Sequence, residues 1–321
     1  MTRMYQSTHP AWLYTALATL ALMAPMAARD NHHQSATAPR SVLRASSNLV
    51  LINASVLDQS GRPVTGLNAA AFHVLEGGVE EKIVSFSQSD MPVSIILVVD
   101  TSRSMQNVIG RSAEAVSSLL KASNPEDQYS VVEFSDRPSL ALGFTHDTSQ
   151  VSDCLMHAEA RGTTALLDAV VFAGKVARRA ANARRVLIVI SDGKDNHSLR
   201  SVNSVKRYLL EADVQVYAID VMTEDGPWAT PWDADGPETL ETICAAGGGR
   251  RVEVERYTNL PRTIEVIARE IRNQYILGYQ PSALNSLGKY HRVDLKLGRP
   301  PGSKRMFVSW RHGYYEPRDG Y

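Results

Sequence analysis

The sequence predicts an α/β fold: a doubly wound, mostly parallel sheet of Rossmann-like layout, with flanking β segments that form a small β-sandwich. Three observations lead to it. Val93–Val99 and Arg185–Ile190 are nearly continuous apolar, β-branched runs, the composition of strands buried on both faces of a parallel sheet. Segments of helical periodicity alternate with such strands, which is the pattern of βαβ units. Period-2 strand patterns occur instead at the two ends, residues 48–90 and 276–321, and chain ends generally lie near one another in space.

Taken in order, residues 1–28 read as an export signal. Arg3 supplies charge, Ala11 to Met26 is mostly apolar, and Ala27-Ala28 offers small residues for cleavage. That run is short of the roughly 20 residues a membrane span requires, so attachment to a membrane is expected only if the signal stays uncleaved. The expected location is periplasmic or extracellular. Residues 29–47, polar and rich in His, Ser, Ala and Pro, read as a flexible linker.

Residues 48–90 form a β segment. Leu49–Ile52 and Ala54–Leu57 are strand-like, and Asp58-Gln59-Ser60-Gly61 supplies turn chemistry. Ala69–Ala71 reads as a single helical turn, and Phe72–Glu76 with Lys82–Phe86 as a hairpin around Gly77-Gly78. The central domain, 91–275, follows. Its expected strands are 93–99, 129–134 with 138–145 beside it, 185–190, 214–219 and 250–254. Its expected helices are 108–122, 148–159, 165–181, 198–211, 237–246 and 260–273. Strand patterns at Tyr275–Tyr279, Tyr290–Leu297 and Arg305–Trp310 then supply the C-terminal β segment, packed with residues 48–90.

Composition narrows the function. Apolar residues make up 44% of the 321, enough for a real core, and Lys plus Arg equal Asp plus Glu at 34 each. Without a clustered basic face there is no electrostatic footprint for nucleic acid or anionic lipid. Cys154 and Cys244 exclude a disulfide scaffold. Export permits one bridge between them, and two separate buried thiols fit equally well.

The chemistry lies at the ends of the buried strands, where ligands bind in open α/β sheets. Asp100-Thr101-Ser102-Arg103-Ser104 places a carboxylate and two hydroxyls at alternate positions just past strand 93–99. Alone, such a segment equally well caps a helix. Asp192, past strand 185–190, adds a second carboxylate, and Thr163 adds a hydroxyl before the helix starting near Ala165. If the strands carrying Asp100 and Asp192 are neighbours, Asp100, Ser102, Ser104, Thr163 and Asp192 converge. All are hard oxygen ligands, suited to Mg²⁺, or to Mn²⁺ or Ca²⁺, rather than Zn²⁺.

In order and spacing these segments resemble the metal-ion-dependent adhesion site of von Willebrand factor type A domains. The helix Thr164–Val170 resembles the same family, and the match spans residues 92–275. Gly61–Leu67, Phe72–Glu76, Gln274–Pro281 and Arg311–Tyr315 are further similar to a group of exported bacterial proteins with a related domain, typical of acidobacteria. The resemblance implies that Ser102, Ser104 and Thr163 contact the ion directly, with Asp100 and Asp192 acting through water. An open coordination position then accepts a carboxylate oxygen from a partner protein. Position 103, commonly Gly in the family, is Arg here, which predicts a somewhat different loop geometry and an added positive charge at the rim.

The expected function is therefore metal-dependent protein binding, in adhesion or assembly, without catalysis, nucleic acid or a small-molecule substrate. Arg103, Thr164, Trp228 and Trp232 are the candidate ligand-rim residues, exposed Trp being a frequent interface anchor. Asp168 and Asp220 are assigned to helix and loop roles. Two alternatives stand beside this reading: a metal-dependent hydrolase or phosphatase on the same sheet, and a structural module with a vestigial site. Neither a Gly-x-Ser-x-Gly elbow nor a phosphate-cradling Gly loop is present, and Gly247-Gly248-Gly249 reads as a turn.

Overall fold

The computed structural model describes residues 49–88, 90–121, 123–221, 235–254, 257–282, 289–298 and 305–315. The expected signal, the linker, Trp228 and Trp232 lie outside the described residues.

The centre is a six-stranded sheet of β5 (Val93–Asp100), β6 (Gln128–Phe134), β7 (Pro138–Thr145), β8 (Arg184–Ser191), β9 (Gln215–Val221) and β10 (Arg251–Val254). Its order is β10-β9-β8-β5-β6-β7. All pairings are parallel except β6 with β7, which closes one edge antiparallel. Every residue of β5 and β9 is buried, which explains why these strands read as unbroken apolar runs. Alternate residues feed two cores. Ile95, Leu97 and Val99 join α1 (Ile109–Lys121), α2 (Thr148–Met156) and α6 (Leu260–Arg272) on one face. Ile96 and Val98 join α3 (Leu166–Ala177), α4 (Val202–Ala212) and α5 (Gly236–Gly247) on the other.

The remaining strands form two antiparallel sheets facing each other. One has the order β13-β1-β11-β4, from β13 (Phe307–Trp310), β1 (Val50–Leu57), β11 (Tyr275–Tyr279) and β4 (Ile83–Ser87). The other has the order β14-β12-β2-β3, from β14 (Gly313–Tyr315), β12 (Tyr290–Leu297), β2 (Phe72–Glu76) and β3 (Val79–Glu81). Ile52, Ala54, Phe72, Val74, Tyr275, Leu277, Val293 and Leu295 fill the space between them.

Three local expectations need correction. The two strand-like pieces before Asp58 are one continuous strand, β1, because Asn53 continues the pairing opposite Ile276. The hairpin from Phe72 closes on Val79–Glu81 only. The chain then crosses to the other sheet, so that Ile83–Ser87 pairs with β11 instead. β14, short and aromatic, was not foreseen as a strand; it pairs with the start of β12.

A buried polar network fastens the sandwich to the central sheet. The side-chain amide nitrogen of Gln274, between α6 and β11, lies 3.1 Å from Ser55 Oγ, 2.9 Å from Gln215 Oε1 and 3.1 Å from Tyr217 Oη. Arg184 donates to Gln274 Oε1 at 2.9 Å and to the Ile271 carbonyl at 2.6 Å. Tyr217 donates to Glu270, which also accepts from Arg250 at 2.8 Å. Cys154 on α2 and Cys244 on α5 are both free; they pack into cores on opposite faces of the sheet. No helix among the described residues is long and apolar enough to cross a membrane.

Candidate metal centre

β5 and β8 are neighbours, with Val99 opposite Ile190, so the loops leaving their carboxyl ends meet where the strand order reverses. The β5 loop is pinned at several points. Thr101 donates through its backbone N–H and its hydroxyl to the Phe134 carbonyl, at 2.7 and 3.0 Å. Met105 is fully buried and closes a single 3₁₀ turn, Arg103–Met105. Ser102 and Ser104 are left side by side, their hydroxyl oxygens 3.1 Å apart, with Ser102 buried and Ser104 exposed. Arg103 sits in this turn without a positive φ. Arg103 is therefore accommodated in this turn without backbone strain.

Asp100 is completely buried. One carboxyl oxygen accepts from the Ser102 N–H at 2.8 Å and the other from the Ser191 hydroxyl at 2.6 Å. Burial first, then the charge of Asp192, pushes its pKa up to about 7, against hydrogen bonds that pull it back. Asp192 has a side chain only 2% exposed, with the Lys194 ammonium 3.5 Å from Oδ2. The charge of Asp192 thus bears on a completely buried Asp100, with the Ser102 and Ser191 groups bonded to Asp100 and the Lys194 ammonium beside Asp192. That arrangement fits a bound divalent cation. Among the described residues no group of three or more His, Cys, Asp or Glu is placed to hold a metal, so a cation here must draw on the hydroxyls.

The 161–164 loop lies alongside. The Arg161 N–H donates to the Thr101 carbonyl at 2.7 Å and the Arg103 N–H to the Gly162 carbonyl at 3.4 Å. Thr163 is exposed, and its hydroxyl and N–H both donate to Asp136 Oδ1, at 2.5 and 2.7 Å. These two bonds hold the Asp136 carboxyl below its usual range. Asp136 was not foreseen in this region, although Phe134-Ser135-Asp136 leaves the end of β6 much as Asp100 leaves β5.

Thr164, expected at the rim, is 3% exposed. Its N–H donates to Asn196 Oδ1 at 3.0 Å, and its carbonyl accepts from the N–H groups of Asn196 and His197. The cause lies in α3, whose N-cap, Ala165, has no capping side chain. Asp195 and Ser198 accept from the N–H groups of Leu167 and Asp168 instead, at 3.2 and 3.1 Å. The loop after β8 therefore caps a helix from another part of the chain and covers Thr164. Asp168 has the helix role expected of it, accepting from the Leu199 N–H at 3.0 Å. Asp220, by contrast, lies within β9 itself and pairs with Arg251.

Residues 95–194 match the von Willebrand factor type A domain family. No curated protein sequence matches the chain. Among solved structures, a von Willebrand factor type A protein from Catenulispora acidiphila is similar at 12% identity over 85% of this chain and 75% of that one, with a TM-score of 0.50. The corresponding domain of the type V pili tip protein Mfa5 from Porphyromonas gingivalis covers 57% of this chain and 95% of its own, at 12% identity and TM-score 0.45. Proximal thread matrix protein 1 from the mussel byssus, solved with a zinc-occupied MIDAS motif, covers 61% of this chain and 49% of its own, at 17% identity and TM-score 0.48. At such identities the likeness concerns the fold alone.

Proposed function

We propose that this chain, whose residues 95–194 match the von Willebrand factor type A domain family, is an exported protein-binding module. Asp100, Ser102, Ser104, Thr163 and Asp192 hold a divalent cation at the carboxyl ends of its central strands. Mg²⁺ is the expected ion, with Mn²⁺ and Ca²⁺ as substitutes, since every ligand is a hard oxygen. The observation that supports this reading is the completely buried Asp100 carboxylate at the end of β5, with Asp192 directly past the end of the neighbouring β8 and its charge raising the Asp100 pKa. A bound cation supplies a Lewis-acidic position that a carboxylate of the partner protein occupies. The chain's own part is to fix the oxygens beforehand. Thr101 and Met105 clamp the Ser102–Ser104 turn, and Ser191 and the Ser102 N–H orient Asp100. Exposed Arg103 adds positive charge at the rim and favours an acidic ligand.

Binding is preferred to catalysis because both Asp100 oxygens already accept hydrogen bonds inside the fold. A phosphoryl-transfer nucleophile must instead be presented to substrate with charge-stabilising groups around it. Calorimetric titration of Mg²⁺ and Mn²⁺ into the wild type and a Ser102→Ala/Ser104→Ala variant tests the site. Heat in the wild type that the variant loses is the expected result, and equal heats in both overturn the reading. Metal-dependent turnover of generic phosphate esters, abolished by Asp100→Ala, would favour the hydrolase alternative.

A further inference from the structure

We propose that Asp136 is a positioning residue of the metal centre: it accepts a hydrogen bond from the Thr163 hydroxyl and thereby turns that oxygen's lone pairs toward the ion. The inference rests on the metal-site reading given above and adds to it a residue from a third strand end.

A hydroxyl that coordinates a cation through oxygen must send its proton elsewhere. A proton directed at the ion is repelled, and one left to bulk water leaves the rotor free. Asp136 supplies the acceptor. Its Oδ1 receives both the hydroxyl and the N–H of Thr163, at 2.5 and 2.7 Å, so χ1 and the backbone of the ligand are fixed by one atom. The loop is shaped around this carboxylate. Gly162 has φ +78°, and a β-carbon there would stand 2.7 Å from Asp136 Oδ1. The Gly162 carbonyl accepts from Arg103, inside the Ser102–Ser104 turn, so the carboxylate, the threonine and the serine loop are joined through consecutive bonds. A charge-assisted bond also polarises the Thr163 hydroxyl, raising electron density on the coordinating oxygen. Partners that orient metal ligands in this way are worth about 10- to 100-fold in metal affinity, and an exposed one belongs at the lower end.

The experiment is calorimetric titration of Mn²⁺ into wild type, Asp136→Ala, Asp136→Asn, Thr163→Val and the Thr163→Val/Asp136→Ala double variant. Melting temperatures in chelator accompany each titration. Asp136→Ala is expected to weaken Mn²⁺ binding about tenfold. Asp136→Asn keeps an acceptor oxygen for both donors and is expected to recover most of that loss. In the Thr163→Val background, Asp136→Ala is expected to add much less than its loss in the wild type, because the hydroxyl it orients is gone and only the N–H of residue 163 still donates to it. Equal Mn²⁺ affinity in Asp136→Ala and wild type overturns the inference and leaves the metal site standing. Asparagine as weak as alanine, or full additivity in the double variant, also overturns it, since Asp136 would then act by charge or independently of Thr163. If Asp136→Ala fails to fold, Asp136→Leu, close in size and without an acceptor, takes its place in both backgrounds with the same expected outcomes. Absence of heat in the wild type overturns the metal-site reading, and this inference with it.

Discussion

At the scale of single residues, Asp100 is in tension with the fold that carries it. Its carboxyl pKa stands at about 7 in the folded chain against an ordinary 3.8, so the folded state holds a proton that the unfolded state releases. Between those two values, stability of the metal-free protein falls as pH rises. Asp100→Asn removes the buried charge while keeping an oxygen for the Ser102 N–H. In chelator at pH 8 it is expected to stabilise the protein by about 1–3 kcal/mol, with little effect at pH 4, and it should abolish Mn²⁺ heat. Urea denaturation at the two pH values checks the sign. The residue types of the site were legible in the sequence because carboxylates and hydroxyls directly after buried strands stand out. Their hydrogen-bond partners were not. Nothing near Thr163 in the chain names Asp136, nor does anything near Thr164 foretell that Asn196 will cover it. Those assignments depend on which loops the sheet order brings side by side.

At the scale of elements, the strand–helix alternation was legible because parallel strands buried on both faces leave an unbroken apolar signature. Where a segment's role depends on a distant partner, the local pattern was insufficient. Asn53 looks like a break but pairs within β1, and Lys82 looks like the start of a hairpin arm but marks the crossing between sheets. The helix α3 illustrates the same dependence. It starts without a cap of its own and borrows Asp195, a half-buried carboxylate accepting from the N–H groups of Leu167 and Ser198. Asp195→Ala is expected to cost about 1–2 kcal/mol, seen as a lower urea midpoint at unchanged m-value. Asp195→Asn should lose less, because it keeps acceptor oxygen at the helix start. Since α3 begins immediately after Thr163 and Thr164, the alanine variant is also expected to weaken Mn²⁺ binding.

At the scale of the whole molecule, strands from both ends of the chain complete one sandwich core, and Gln274 joins that core to the central sheet. Gln274→Leu strips partners from Ser55, Gln215, Tyr217 and Arg184 at once. The expected loss is about 2–3 kcal/mol, the cost of buried polar groups left unsatisfied. Far-UV circular dichroism and hydrogen exchange should still report one coincident unfolding transition. Two separate transitions would mean that sandwich and α/β layer fold independently. The arrangement also has a mechanical meaning. The described chain enters through β1 and leaves after β14, and β1 is hydrogen-bonded edge to edge with β13. Tension between the two flanks is therefore carried within the sandwich and bypasses the six-stranded sheet. Tension between the strand ends of the central sheet and either flank is shared instead by the covalent junctions before β5 and after α6, the Arg184 and Gln274 bonds beside them, and the Arg311–Asp213 ion pair. On the proposed function, a load applied at the strand ends is therefore borne by polar contacts between the layers as well as by the backbone.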